Sequence, residues 1–172
     1  MKINGVDTAV VENLVKRFQD EPKEAITPWS STVVWQDGFH VEMAIGDHAA
    51  IAADEPQWLG GSNNGPNSVQ LLLGALGVCV NNAFIAVASL SGVPVKSLET
   101  KVSGAIDLQV FLGLREGNAG FDQITVDFVV DSSGTDEQIQ NIMSQAMKIS
   151  PVENTVERTT KIDAHYDRVP VQ

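Results

Sequence analysis

Apolar residues recur at three- and four-residue intervals from the start of the chain: Val6, Val10, Val11, Leu14, Val15 and Phe18. That spacing predicts an amphipathic helix over 6–19, capped by Asp7 or Thr8 and ended by Glu21-Pro22. Glu12, Lys16 and Arg17 occupy its other face, so the helix is expected to dock its apolar side. The period then changes to two. Phe39, Val41, Met43 and Ile45 alternate with His40, Glu42 and Ala44, and Gln36-Asp37-Gly38 separates them from Thr32–Trp35. A hairpin region over 32–52 follows, with its third short strand at His48–Ala52 and one buried face.

The segment Asp54–Asn67 breaks all periodicity. It holds Gly60-Gly61 and Gly65-Pro66 beside Ser62, Asn63 and Asn64, and reads as an irregular loop of functional or interfacial kind. From Ser68 to Leu90 the chain is apolar on most sides, which predicts a central helix over 68–90 closed by Gly92 and Pro94. Beta patterns resume at Val95–Val110 and Gln123–Val130, a second sheet over 95–130 with the loop Phe111–Asp122 between its strands. Thr135 with Gln138 forms a capping box for a helix over 135–149. Ser150-Pro151 breaks or kinks it, and Thr159–Tyr166 reads as a last strand. Hairpin strands with segregated helices argue for one α+β domain over 1–172. The central helix is too apolar for a small monomer to cover, which predicts a homodimer that buries it from both sides.

A length of 172 residues suffices for one core, and a hydrophobic fraction of 43% is that of a globular chain. The net charge of −11 argues against nucleic acid, whose phosphates need a basic surface. The stretch from Met1 to Lys16 has no apolar leader pattern, and the Leu71–Val80 run stops at Asn81-Asn82, short of the roughly 18 residues of a membrane span. A cytoplasmic protein with no membrane partner is expected. His40, His48 and His165 lack ligand spacing, so no metal is expected, and the glycine pairs lack the lysine of a phosphate loop. No cofactor is expected either.

Cys79 is the single cysteine. It excludes an internal disulfide and suits a reducing compartment. Its position in the apolar helix is compatible with a reactive thiol at a pocket floor and equally with an inert buried residue. Reaction needs a thiolate, and at about three turns into the helix the backbone dipole gives little help. A cation must come from elsewhere, with His40, Arg115, Lys148 and Arg158 as candidates. Asn67 is placed to cap the helix. Gln70 is placed to offer a neutral polar group to a pocket. Asp54 and Glu55 are either loop charges or carboxylates at the site rim. Trp35, Trp58 and Phe39 either line an apolar pocket or serve packing. Asn81 and Asn82 interrupt the helix, and at least one is expected to be hydrogen-bonded inside.

The run Asp54-x-Pro56, Gly60-Gly61, Gly65-Pro66-Asn67, Leu71-Leu72-Leu73 and Ala75-Leu76-Gly77-x-Cys79 resembles the OsmC/Ohr family of hydroperoxide-resistance proteins. Gly92-Val93 at the end of the cysteine helix and Pro151-Val152, where the family carries Cys-Pro-Val, agree with it. The resemblance implies an OsmC-like fold: antiparallel sheets around a central cysteine helix, in an intertwined homodimer with sites at the interface. It implies reduction of organic hydroperoxides by a helix cysteine, a resolving cysteine that closes a disulfide, a dithiol reductant, and an assisting arginine and glutamate.

The chain departs from that pattern at each assisting position. Ser150 stands in the resolving cysteine's place, the acidic position falls on Val69 or Gln70, and no arginine lies near Trp35-Gln36-Asp37. Two readings follow. In one, Cys79 alone reduces organic hydroperoxides, with an external thiol or dithiol as reductant and Ser150 beside the sulfur or satisfying backbone. In the other, the inherited interface pocket binds a small apolar or thiol-containing ligand without peroxidase chemistry.

Overall fold

A computed structural model describes residues 2–168. The first residue and the last four of the expected 1–172 domain lie outside the described residues. The elements run β1 (Lys2–Ile3), β2 (Val6–Asp7), α1 (Thr8–Asp20), β3 (Thr32–Asp37), β4 (His40–Ala44), β5 (Ile51–Ala53), α2 (Ser68–Leu90), β6 (Val95–Gly104), α3 (Leu108–Phe111), β7 (Ile124–Ser132), α4 (Asp136–Ile149) and α5 (Pro151–Glu157). Every strand pairing among the described residues is antiparallel: β1 with β2, the three-stranded sheet β3-β4-β5, and the long ladder β6-β7. The chain is therefore mixed α+β.

The core forms where α2 crosses the inner face of β6-β7 and receives α4. Phe84, Val87 and Ala88 of α2 meet Ile142 and Ala146 of α4 and Val93 of the connection, all buried. The register sets Leu98 opposite Val130 and Thr100 opposite Phe128. Phe128 and Val130 then point at α2, and the Phe84 and Phe128 rings stack with centroids 5.7 Å apart. Ala88 and Ala146 are fully buried, and their small side chains let the two helices approach closely. The α4 start has the expected box: Thr135 Oγ1 accepts from Gln138 N at 3.2 Å, and Gln138 Oε1 accepts from Thr135 N at 2.9 Å.

Among the described residues α2 packs against β6, α4, α5 and, at its end, β2. Val78 and Leu72 lie exposed on other faces, so the helix is not buried on most sides within one chain. By length and composition α2 also passes as a membrane span, at a mean hydropathy of 2.1, because Ala83–Leu90 continues the apolar run beyond Asn81-Asn82. Asn81 is tied down by its Nδ2 donating to Thr100 Oγ1 at 3.1 Å.

Several expected elements differ. The first helix begins at Thr8, because Val6-Asp7 pairs with Lys2-Ile3 around a tight turn in which Asn4 has φ 52°. Asn4 clamps this turn to the end of α2: its Nδ2 donates to Ser89 Oγ and Val93 O, and its Oδ1 accepts from Val95 N. The helix does not dock as expected. Val10, Leu14 and Val15 remain exposed among the described residues. The expected single buried face of the hairpin is only half covered, with Phe39 and Val33 more than half exposed. Its third strand lies at Ile51–Ala53, later than expected.

The strand expected over Val95–Val110 stops at Gly104. Asp107 accepts from Gln109 N at 2.8 Å and starts the single turn α3 instead. Thr159–Tyr166 is not a strand. It is exposed, with Ile162 88% and Tyr166 90% open to solvent, and it joins none of the strand pairings among the described residues. Replacing Phe84 by Ala should lower stability by about 3–5 kcal/mol, since the site is fully buried and the stacked ring partner is lost. Urea unfolding of both proteins checks this.

Candidate active site at Cys79

Asp54 organises the loop that leads into α2. The residue is 3% exposed, and its carboxyl accepts three backbone N–H groups: Glu55 at 2.8 Å, Ser62 at 3.1 Å and Asn64 at 3.2 Å. Bonds of this kind to a carboxylate are the strong class. They bend 54–67 into a closed loop, and they give the Asp54 carboxylate, weighed as a loop charge or a rim group, a backbone-binding task instead. The tight fold explains two glycines. A Cβ on Gly61 would lie 1.9 Å from Glu55 O, and one on Gly65 would lie 2.3 Å from Ala52 O.

Glu55 also joins this scaffold, because its Oε2 accepts from Asn67 Nδ2 at 3.2 Å. Asn67 caps α2. Its Oδ1 accepts from Gln70 N and Gln70 Oε1 accepts from Asn67 N, both at 3.0 Å. This reciprocal box satisfies two backbone donors that a helix start leaves open. Gln70 therefore spends its acceptor on the cap, while its side chain borders a cavity of about 500 Å³ between α2 and β6 that also touches Gly74, Gly77 and Asn81.

From that fixed start the helix carries Cys79 to the α4–α5 junction. Cys79 is partly buried, and Ser150 is fully buried. Ser150 Oγ donates to Cys79 Sγ at 3.1 Å. The same Oγ accepts from Glu153 N at 3.3 Å, capping α5, with Pro151 as the first helical residue. Both functions weighed for Ser150, contact with the sulfur and satisfaction of backbone, are thus met by one hydroxyl. Asn154 holds the bend, its Nδ2 donating to Ser150 O at 2.9 Å and Lys148 O at 3.1 Å.

No hydrogen bond or ion pair joins a cation to Cys79 among the described residues. Arg115 pairs with Asp107 in the loop after β6, Arg158 Nε donates to Asn154 O, Lys148 lies on the exposed side of α4, and His40 opens β4. Among the described residues no three metal-ligating side chains gather. Trp35 is 67% exposed and donates its Nε1–H to Gly38 O, closing its own hairpin turn away from the thiol. Trp58 is likewise exposed. Phe39 lies elsewhere, on the wall of a cavity of about 280 Å³ with Val33, Met43, Glu55 and Leu71.

A larger cavity, about 660 Å³, is lined by Leu72 and Leu76 of α2, Met147 of α4, Glu153, Val156 and Glu157 of α5, and Asp122 and Gln123 ahead of β7; Cys79 and Ser150 are not part of its wall. Glu153 was not among the residues expected here. Its signal is the run Ser150-Pro151-Val152-Glu153, a serine followed three residues later by glutamate with proline at the first helical position, which marks a helix start. Burial raises the Glu153 carboxyl above its ordinary value of 4.5, and the neighbouring Glu157 carboxyl adds to the rise while Arg158 opposes it. A raised value in the fold means that the protonated form fits better. The stabilisation is complete at low pH and is lost as pH rises above about 4.5 toward the folded value. Glu153→Gln should therefore gain stability relative to the parent as pH rises from 4 to 7, read by urea unfolding at each pH.

A family model described as OsmC-like protein matches residues 61–165. None of the curated proteins matches the sequence. Among solved structures, an OsmC-like protein from Mycoplasma pneumoniae superposes with a TM-score of 0.66 at 18% identity, over 76% of this chain and 88% of that one. A putative organic hydroperoxide resistance protein from Vibrio cholerae, with captopril bound in one of its active sites, gives 0.57 at 22% identity over 76% and 86%. An organic hydroperoxide resistance protein OsmC from Legionella pneumophila gives 0.54 at 15% identity over 76% and 90%. The structural likeness at these identities speaks for the fold. With the family model covering more than half of the sequence, the chain belongs to the OsmC-like protein family.

Proposed function

We propose that the protein is a one-cysteine, thiol-dependent organic hydroperoxide reductase. The observation that carries this reading is the Cys79–Ser150 pair: a partly buried cysteine, hydrogen-bonded by a buried hydroxyl, one turn along α2 from Leu76 in the wall of the larger cavity. A packing residue needs none of these features. The family membership supplies the reaction class, since relatives in it are described as organic hydroperoxide resistance proteins.

The Cys79 thiolate attacks the terminal oxygen of the hydroperoxide. The O–O bond breaks, an S–O bond forms, and the alkoxide leaves and takes a proton to become the alcohol. The sulfur, oxidised by two electrons, is now a sulfenic acid. Ser150 offers no thiol, so the second half needs an external one. That thiol forms a mixed disulfide with loss of water. A second thiol, or the other arm of a dithiol, then releases Cys79 as the thiol and leaves as part of the new disulfide. Leu72, Leu76 and Met147 offer the alkyl group an apolar wall.

The working form in this reading is a homodimer in a reducing, cytoplasmic setting. The exposed apolar residues on α1, on the hairpin and at Val78 support the dimer, as an area that water penalises. The alternative, a binding protein for a small apolar or thiol-containing ligand, draws on the same cavity together with the absence of any cation bonded to Cys79 among the described residues. The two readings part on turnover. Under the first, the wild type consumes an organic hydroperoxide with a dithiol, Cys79→Ser does not, and one equivalent of peroxide without reductant adds one oxygen to the intact mass. An unmodified thiol and no turnover would leave the binding reading. Light scattering should return twice the 18.4 kDa chain mass.

A further inference from the structure

We infer that Ser150 is a positioning residue for Cys79, one that holds the sulfur's negative charge through its hydroxyl and takes no covalent part. This rests on the reading of Cys79 as the reacting group, and it assigns the neighbouring serine a task of its own. A hydroxyl has one proton and two acceptor sites. Glu153 N–H occupies one acceptor site at 3.3 Å, and the proton is directed at Cys79 Sγ at 3.1 Å. A thiolate has no proton to give, so once Cys79 ionises the hydroxyl is the donor of this pair. A donor to an anionic acceptor is of the strong, charge-assisted kind.

The geometry is held from three sides. Ser150 is fully buried, so water does not compete for its proton. Asn154 ties its carbonyl and that of Lys148, which fixes the bend between α4 and α5. Ala146, one turn earlier on α4, is fully buried in the core against α2, which fixes the height of Ser150 along that helix. A serine needed only as the α5 cap would not require a second partner 71 positions away.

The test follows a single thiol, because the chain has one cysteine. Iodoacetamide alkylation at pH 7, read by intact mass, compares wild type, Ser150→Ala and Ser150→Thr, with near-UV circular dichroism to establish that each is folded. Loss of one charge-assisted bond should slow the alanine variant about tenfold, with threonine restoring the rate. A merely structural serine predicts the opposite sign: the cap is lost, the junction loosens, and alkylation stays equal or speeds up. That result overturns the inference.

A second variant tests the contact itself and decides the matter if the alanine variant does not fold. In Ser150→Cys, diamide should take one hydrogen from each thiol and close a disulfide between Cys79 and the introduced thiol. The intact mass then falls by two hydrogens, and the product no longer alkylates. A variant that stays a dithiol under diamide overturns the placement of Ser150 on the sulfur. Slower alkylation in Ser150→Ala together with no hydroperoxide turnover in the wild type would keep the positioning role and remove the peroxidase reading, so the two failures are distinct.

Discussion

The packing of α4 across α2 governs the site. Ile142 and Ala146 seat against Phe84 and Ala88. Once that seam is fixed, the end of α4 lies one short step from Cys79. The chain then turns at Ser150-Pro151, and proline suits the turn because the first helical position needs no backbone donor. Ser150 meets the sulfur because of where α4 ends and how far α2 runs, and the same seam sets the cavity lined by Leu76, Met147 and Glu153. A change that slid one helix along the other by a turn would keep both helices and lose the pair.

A second constraint holds the other end of α2. The buried Asp54 carboxylate gathers three backbone donors, and Gly61 and Gly65 let the loop pass against Glu55 and Ala52 at distances that no side chain allows. Glu55 and Asn67 then link loop to helix. The family signature in this chain is thus mostly scaffold. Its polar and glycine residues fix where α2 begins, and the helix geometry fixes where Cys79 falls, at about 1.5 Å per residue. Cys79 closes the signature, at the far end from the loop that sets where α2 begins.

The apolar surface left over has the same origin. α1, the hairpin β3-β4 and the segment after α5 all carry apolar residues that stay exposed among the described residues. Alternation over Thr159–Tyr166 is a property of strands, but a strand also needs an edge to pair with. The segment has no such pairing among the described residues and is exposed. The proposed dimer is the arrangement in which these patterns acquire partners.

Sequence alone determined the features that arise between residues a few positions apart. The Asn67 cap, the capping box Thr135–Gln138, the extent of α2 and the irregular loop before it were legible because each is a local hydrogen-bond or steric requirement, whereas Gln70's return bond to Asn67 N was seen only in the structure. The motif residues also pointed to Cys79 and Ser150 as a pair, through the resemblance they carry. Tertiary structure decided what depends on distant contacts. The Asn4 clamp on Ser89 and Val95, the turning of Asp54 inward, the direct bond from Ser150 to a sulfur 71 positions away and the neighbouring Glu153 all required helices and loops to meet. Periodicity says which face of an element is apolar; only the packed chain says what, if anything, covers it.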